Sequence, residues 1–284
     1  MKLVRYGDAG AEQPGLIDSK GAIRSLVGVV IDIDADAISP AGLNKLRRID
    51  PESLPLVSGD VRFGVPIDGV RKFIAIGLNY RDHAAEADMA IPAEPIIFQK
   101  AISSLCGAND DVIQPPGAEK LDWEVELGIV IGVRASHVVS ATALDHVAGY
   151  LIVHDVSERA YQLERGGSWD KGKSYDSFGP VGPWLVTADE LANVHALDLK
   201  LHVNGVQMQS GNTRNFIFDV PAIIACVSQY MTLEPGDIIA TGTPAGVGMG
   251  KKPDPVFLAV GDQVDLSITG LGTQRQTVVR REFA

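Results

Sequence analysis

The stretch Asp122-Trp123-Glu124-Val125-Glu126-Leu127-Gly128-Ile129-Val130-Ile131-Gly132 constrains the fold of this chain more than any other. Its dense run of β-branched and apolar residues predicts a strand over 122–132. Side chains alternate between the faces of a strand, so Asp122, Glu124 and Glu126 share one face and Val125, Leu127, Ile129 and Ile131 share the other. Val130 falls on the acidic side. That face therefore begins wet or metal-bound and ends apolar. Glutamates two residues apart stand about 7 Å apart at the backbone, and their long side chains can converge on one ion. The alternative is a solvated strand face near a sheet edge.

Other strand-length runs surround it. Residues 2–6, 22–26, 72–78, 95–100, 149–156, 237–240, 263–269 and 273–279 read as strands. Residues 198–209 read as a hairpin turning at Asn204-Gly205, a dipeptide that suits a type I′ turn. Helical signals are fewer. Ser39-Pro40 opens a helix to about Arg48, residues 79–89 have helical propensity, and Asp219 with Pro221 opens an apolar helix over 219–231. Strands outnumber helices and do not alternate with them, which disfavours a doubly wound sheet or a barrel of βα units. The expected class is α+β, with a mixed, mostly antiparallel β architecture. Pro51, Pro55, Gly59, Gly64, Pro66 and Gly69 punctuate 50–71 like a linker. A small N-terminal α+β domain over 1–70 and a main domain over 71–284 are expected.

Charge narrows the partners. The chain has 25 Lys+Arg against 36 Asp+Glu, a formal net charge of −11; residues 1–70 hold 8 basic and 10 acidic side chains, so −9 of that falls in residues 71–284. Such a surface repels phosphate backbones and acidic lipid, so no nucleic acid and no membrane is expected as a partner. No apolar run reaches the roughly 18 residues of a membrane span, and the opening MKLVRYGDAG has no apolar signal core. Cys106 and Cys226 fit neither a metal spacing nor a disulfide framework. A cytoplasmic location is expected.

Four further features carry chemistry. Asp155 ends the apolar run Tyr150-Leu151-Ile152-Val153-His154, where a buried carboxylate is costly unless paired or on a metal. The alternative is a cap on the next turn. Glu124, Glu126 and Asp155 together would supply three hard oxygen ligands, which suits Mg²⁺ or Mn²⁺, admits Ca²⁺ and disfavours Zn²⁺. Carboxylates about 4 Å apart repel by roughly 4 kcal/mol at an effective dielectric of about 20, so three of them together favour a divalent cation. His83 and Glu86 stand at i and i+3 of a predicted helix, where a carboxylate can orient an imidazole as a general base. Lys173 follows Lys171-Gly172 in a loop from which an ammonium could reach an anionic group. Thr241-Gly242-Thr243-Pro244-Ala245-Gly246-Val247-Gly248 follows a strand, and its amides and hydroxyls could hold a carboxylate; the alternative is a tight turn. No GxSxG element supports serine hydrolysis.

These pieces, in this order over about residues 72–280, resemble the fumarylacetoacetate hydrolase family. The resemblance rests on Gly-Leu-Asn-Tyr-Arg-Asp-His-Ala-Ala-Glu (77–86), the paired-glutamate strand, His-Asp-Val-Ser-Glu-Arg (154–159), Lys-Gly-Lys-Ser-Tyr-Asp (171–176) and Thr-Gly-Thr-Pro-Ala-Gly-Val-Gly (241–248). The opening Lys-Leu-Val-Arg-Tyr-Gly and Gly-Pro-Val-Gly-Pro-Trp (179–184) are similar to a bacterial subgroup called ureidoglycolate lyases or 2,4-diketo-3-deoxy-sugar-acid hydrolases. The resemblance implies a β-roll catalytic domain, a Mg²⁺ or Mn²⁺ cofactor and a homodimer. It implies Glu124, Glu126 and Asp155 as metal ligands, His83 and Glu86 as the catalytic dyad, and Lys173 as the active-site lysine. Arg159, Gln162 and Thr243 would line the substrate pocket, with Asp122 behind the ligands. His154 departs from the family, which often has Asn there. The implied substrate is a small 2-oxo acid. Hydrolysis of a 2,4-diketo acid to pyruvate is expected first, a 2,4-diketo-3-deoxy sugar acid in particular. A lyase acting on ureidoglycolate or oxaloacetate, and a non-catalytic small-acid binder, are the alternatives.

Overall fold

A computed structural model describes residues 1–281 of the chain. The strand Val125–Ile131 lies inside its largest sheet and is buried along its whole length. On one side it pairs antiparallel with Val147–His154, which sets Glu126 opposite Val153 and Val125 opposite His154. On the other side it pairs antiparallel with Ile238–Ala240, which runs parallel to Phe73–Gly77; Ile96–Lys100 completes that edge. Beyond Val147–His154 the sheet continues through Gly179–Thr187 to Lys2–Tyr6, Gln13–Ile17 and Ile23–Ser25, with Leu105–Gly107 parallel to Gly179–Thr187. A second sheet has the order Val206–Asn212, Asp198–Val203, Gln263–Ile268, Gly272–Arg280 and Val112–Gln114. The fold is α+β with mixed, mostly antiparallel sheets, as the strand-rich pattern predicts. Among the described residues no helix is long and apolar enough to cross a membrane.

The central strand has no wet face. Leu127, Ile129 and Ile131 enter a core with Trp123, Leu199, Leu201 and Leu266, to which the helix Val220–Tyr230 adds Ile223, Ile224 and Val227. Val130 enters a second core with Leu3, Leu16, Ile38, Phe73, Leu151 and Val153. Each such side chain stabilises the fold by roughly 1.5–3 kcal/mol relative to exposure, so the register of this strand is strongly specified. An acid on it can only face a cavity inside the protein.

The expected continuous strand over 122–132 is interrupted. Leu121–Asp122 pairs with Ser157–Glu158 in a separate two-stranded ladder, and the chain crosses to the large sheet at Trp123 and Glu124. Asp122 is the cause: its Oδ1 accepts from the amides of Trp123 (2.8 Å) and Gly248 (2.6 Å), and its Oδ2 from the amide of Met249 (3.0 Å), which draws the chain out of line. The expected helix over 79–89 is shorter, Arg81–Glu86, because Leu78 and Asp88 flank it at φ 51° in the left-handed region. The hairpin turns at Asn204 (φ 51°) and Gly205 (φ 77°), as its sequence predicts.

Residues 1–70 are continuous with the rest. Lys2 and Leu3 pair with Val186 and Leu185, and Leu16, Ile38 and Leu43 share a core with Phe73, Val130 and Leu151. The linker-like punctuation of 50–71 marks no break in packing, because Leu54 and Ile67 within it are buried in the same core. Five strands escape sequence reading: the short Leu105–Gly107, Val112–Gln114 and Ser157–Glu158, then Gln13–Ile17, which contains Pro14 and Gly15, and Gly179–Thr187, which contains Pro180, Gly182 and Pro183. A register shift between Tyr150 and Ile152, facing Gly182, accommodates the prolines and glycines of Gly179–Thr187.

Candidate active site

Sheet register brings Glu124, Glu126 and Asp155 together. Glu126 lies in Val125–Ile131, Asp155 follows the end of its neighbour Val147–His154, and the Asp155 amide donates to the Glu124 carbonyl at 3.0 Å. One carboxylate oxygen of each acid lies within 4.8 Å of the others, and all three residues are buried. Three cations meet them. The Lys173 ammonium donates to Glu124 Oε2 (2.5 Å) and Asp155 Oδ2 (2.8 Å). The Arg159 guanidinium spans Glu124 Oε1 (Nη2, 2.7 Å) and Asp122 Oδ2 (Nε, 2.8 Å). Lys100, at the end of Ile96–Lys100, donates to Asp155 Oδ1 (2.6 Å) and to the carbonyls of Val156 and Lys173.

The carboxylates are not equivalent. Burial alone would push the Glu124 carboxyl up, but Lys173 and Arg159 outweigh it and hold it well below the usual range. Burial, and then the negative charges of Asp155 and Glu124, push Glu126 well above its ordinary value. Its hydrogen bond from the Gly242 amide (2.8 Å) only partly offsets this, and among the described residues no cation lies within ion-pair distance of it. Asp155 and Glu124 hold Lys173 charged against the burial that opposes it. Four carboxylates, Asp122 included, thus face three cations, with the excess on Glu126. Three hard oxygen donors, among which Glu126 meets no cation and resists ionising by itself, fit a divalent cation of the Mg²⁺ or Mn²⁺ kind. Lys173 competes for the same oxygens, and no arginine stands between Glu126 and Asp155.

His83 and Glu86 share one face of Arg81–Glu86. His83 Nδ1 lies 3.0 Å from Glu86 Oε2, and Glu86 Oε1 accepts from the Gly246 amide at 2.9 Å. Donation from Nδ1 to the carboxylate leaves Nε2 as the basic lone pair. The Gly-rich loop is more than a turn. The amides of Gly242, Gly246 and Gly248 bind Glu126, Glu86 and Asp122 in turn, so they hold the protein's own acids rather than a ligand's. Gly246 has φ 109° and a Cβ there would lie 2.2 Å from the Met208 carbonyl oxygen, so only glycine permits this path.

One cavity of about 210 Å³ is lined by His83, Glu124, Glu126, Asp155, Arg159, Gln162, Lys173 and Thr243. Eight of the nine site residues expected from sequence meet there; Glu86 stands behind His83. Two of the expected substrate contacts are already committed. Thr243 Oγ1 donates to the Val125 carbonyl (3.0 Å) and accepts from Gln209 Nε2 (2.8 Å). Gln162 Oε1 accepts from Arg159 (3.0 Å), which leaves its amide nitrogen as the available donor. His154 lies buried beside Asp155, its Nδ1 3.0 Å from Gln276 Oε1, and burial pushes its pKa down to about 3. It is a neutral ring. Lys100 and Gln209 escape sequence reading: one ends an ordinary strand and the other lies in the hairpin, and nothing in their neighbours' spacing distinguishes them.

Comparison with known proteins accords with this geometry. A relative from Burkholderia ambifaria, named only as a hydrolase, is 57% identical over 277 residues, covering 98% of each chain. The structure of a fumarylacetoacetate hydrolase from Exiguobacterium antarcticum superposes with a TM-score of 0.87 at 36% identity, covering 99% of this chain and 100% of that one. That of maleylpyruvate hydrolase from Sphingobium sp. SYK-6, in complex with manganese(II) ion and pyruvate, does so with a TM-score of 0.82 at 31% identity over 99% and 100%. The sequence profile described as fumarylacetoacetate (FAA) hydrolase C-terminal matches residues 72–279, and with that span and these relatives the chain belongs to the fumarylacetoacetate hydrolase family.

Proposed function

We propose that this protein is a metal-dependent hydrolase that cleaves the C3–C4 bond of a 2,4-diketo acid and releases pyruvate. The observation that carries the reading is the meeting, in one small cavity, of a three-carboxylate cluster and a histidine oriented by glutamate. The manganese(II) and pyruvate held by the similar maleylpyruvate hydrolase support it. Bound by Glu124, Glu126 and Asp155, a divalent cation would supply Lewis acidity for the 2-oxo acid group and for the charge that develops there.

The chain's own residues perform the rest. His83 Nε2 takes a proton from water, and the hydroxide oxygen bonds to C4. Glu86 stabilises the imidazolium so formed, and the Gly246 amide keeps Glu86 in place. As C3–C4 breaks, its electron pair passes to the pyruvate enolate, whose charge the Lys173 ammonium offsets. The proton on His83 then returns to C3. Water and a diketo acid become pyruvate and a carboxylic acid, with no redox change. Arg159, fixed by Asp122, and the Gln162 amide orient the substrate.

The test is pyruvate release from an acylpyruvate. Chelation with EDTA is expected to abolish it and Mg²⁺ or Mn²⁺ to restore it. Full activity in metal-free protein would overturn the reading.

A further inference from the structure

Beyond its charged floor, the cavity has an apolar wall. Leu78, Met89, Phe98, Leu163, Trp169 and Met249 line it. Three of them are open to solvent although apolar: Met89 is 51% exposed, Leu163 47% and Met249 36%. They come from three separate segments around the same mouth, which is unlike scattered surface leucines. Phe98 and Trp169 pack edge to face, with ring centroids 5.3 Å apart.

Among the described residues no cation free of a carboxylate partner lines this cavity. Arg159 and Lys173 are the basic residues that line the cavity, and both are held by carboxylates. Most basic side chains nearby in sequence have partners elsewhere, and Lys252 does not line the cavity. Lys171 donates to the Arg165 carbonyl (2.8 Å), Lys251 to the Met208 carbonyl (2.9 Å), and Arg165 stacks over Tyr161 at 4.4 Å. Arg81 does not line the cavity. The charge balance points the same way. With a dication added to four carboxylates and three cations, the floor carries one net positive charge, which a single substrate carboxylate neutralises. A second carboxylate, or a row of hydroxyls, would lie against this largely carbon wall and lose its water with few new partners. At about 210 Å³ the cavity also falls below the about 300–1,000 Å³ of pockets for larger ligands.

We infer that the acyl group accepted here is short and apolar, an unbranched alkanoyl or similar small hydrophobe, and that Met89, Leu163, Trp169 and Met249 set this preference. The inference rests on the hydrolase reading for its substrate. It replaces the polyhydroxylated sugar acid implied by the sequence resemblance and departs from the diacid substrate that the name maleylpyruvate hydrolase denotes.

Two assays test it and separate it from the hydrolase reading. With Mg²⁺ present, kcat/KM for alkanoylpyruvates should rise about fourfold per methylene until the cavity fills. Acylpyruvates of equal length ending in a carboxylate, or carrying hydroxyls, should fall at least about tenfold lower. Calorimetry of the Mg²⁺-loaded protein with straight-chain 2-oxo acids and 2-oxo diacids should give the same order without turnover. Met249→Lys should narrow the gap between alkyl and anionic substrates at least about fivefold. Cleavage with the anionic or hydroxylated substrates preferred overturns the inference and leaves the hydrolase reading standing. Absence of cleavage with the apolar order of binding does the reverse. Equal binding of both series, or binding of neither, overturns the inference.

Discussion

The floor of the cavity and its rim are built in opposite ways. Glu126 lies in a sheet buried on both faces, Glu124 and Asp155 flank its strands, and Lys100, Arg159 and Lys173 pair with those two acids. His83 and Glu86 come from a six-residue helix, keep side-chain exposures of 13% and 18%, and are joined to the floor's loop by the Gly246 amide. Where charge must be concentrated, the protein uses its core, and stability and chemistry are inseparable. The histidine and its glutamate sit instead on a thin, half-open element, where a side-chain substitution is expected to cost the fold little.

His83→Ala probes that separation with the largest expected effect. Turnover should fall roughly 10²–10⁴-fold while the urea unfolding midpoint stays put. A fall in stability beyond about 1 kcal/mol would merge rim and floor. Lys100→Met should do the opposite. Methionine fills similar space but leaves Asp155 Oδ1 facing no cation, and stability should fall by about 3 kcal/mol in denaturant titration. An unchanged midpoint would mean that the floor is not tied to the fold.

Glu126→Gln sharpens the picture within the floor. It should weaken Mn²⁺ binding at least about 100-fold, read by direct metal titration. Metal-free protein should be no less stable than the parent, because the substitution removes the excess charge. A metal-free variant less stable than its parent would show that Glu126 is paired after all. The smallest effect concerns His154. Burial holds its pKa at about 3 against an ordinary 6.5, so between those values the unfolded chain binds a proton that the folded chain refuses. Its contribution is complete above pH 6.5 and declines as pH falls toward 3. From pH 6.5 to 5 the loss should be about 2 kcal/mol, and His154→Asn should remove that part of the slope. An identical slope in the variant would take His154 out of the floor's acid sensitivity.

Much of this site was legible from types and spacing. The i and i+2 glutamates and the strand-ending Asp155 announce themselves because carboxylates in apolar runs are costly. His83 and Glu86 declare a shared helical face through their spacing. Other parts depend on partners distant in the chain. Lys100 meets Asp155 across 55 residues and Gln209 meets Val125 across 84, so no local pattern marks either. The break after Asp122 likewise comes from amides 126 and 127 residues away. Prolines and glycines hid Gly179–Thr187, whose irregular register tolerates them only because its neighbour bulges. Exposed Met89, Leu163 and Met249 look like unrelated surface residues until the fold gathers them.

The loop after Ile238–Ala240 holds acids of both halves through main-chain groups, the amides of Gly242, Gly246 and Gly248. A side-chain anchor can be lost to one mutation, whereas a peptide N–H survives any replacement that preserves the chain's path. The positions of the acids are thus insulated from drift in the residues between those glycines, and the wall can diverge while the reactive groups stay aligned. Anyone reshaping this enzyme's tastes would randomise Met89 and Met249 and leave the glycines untouched.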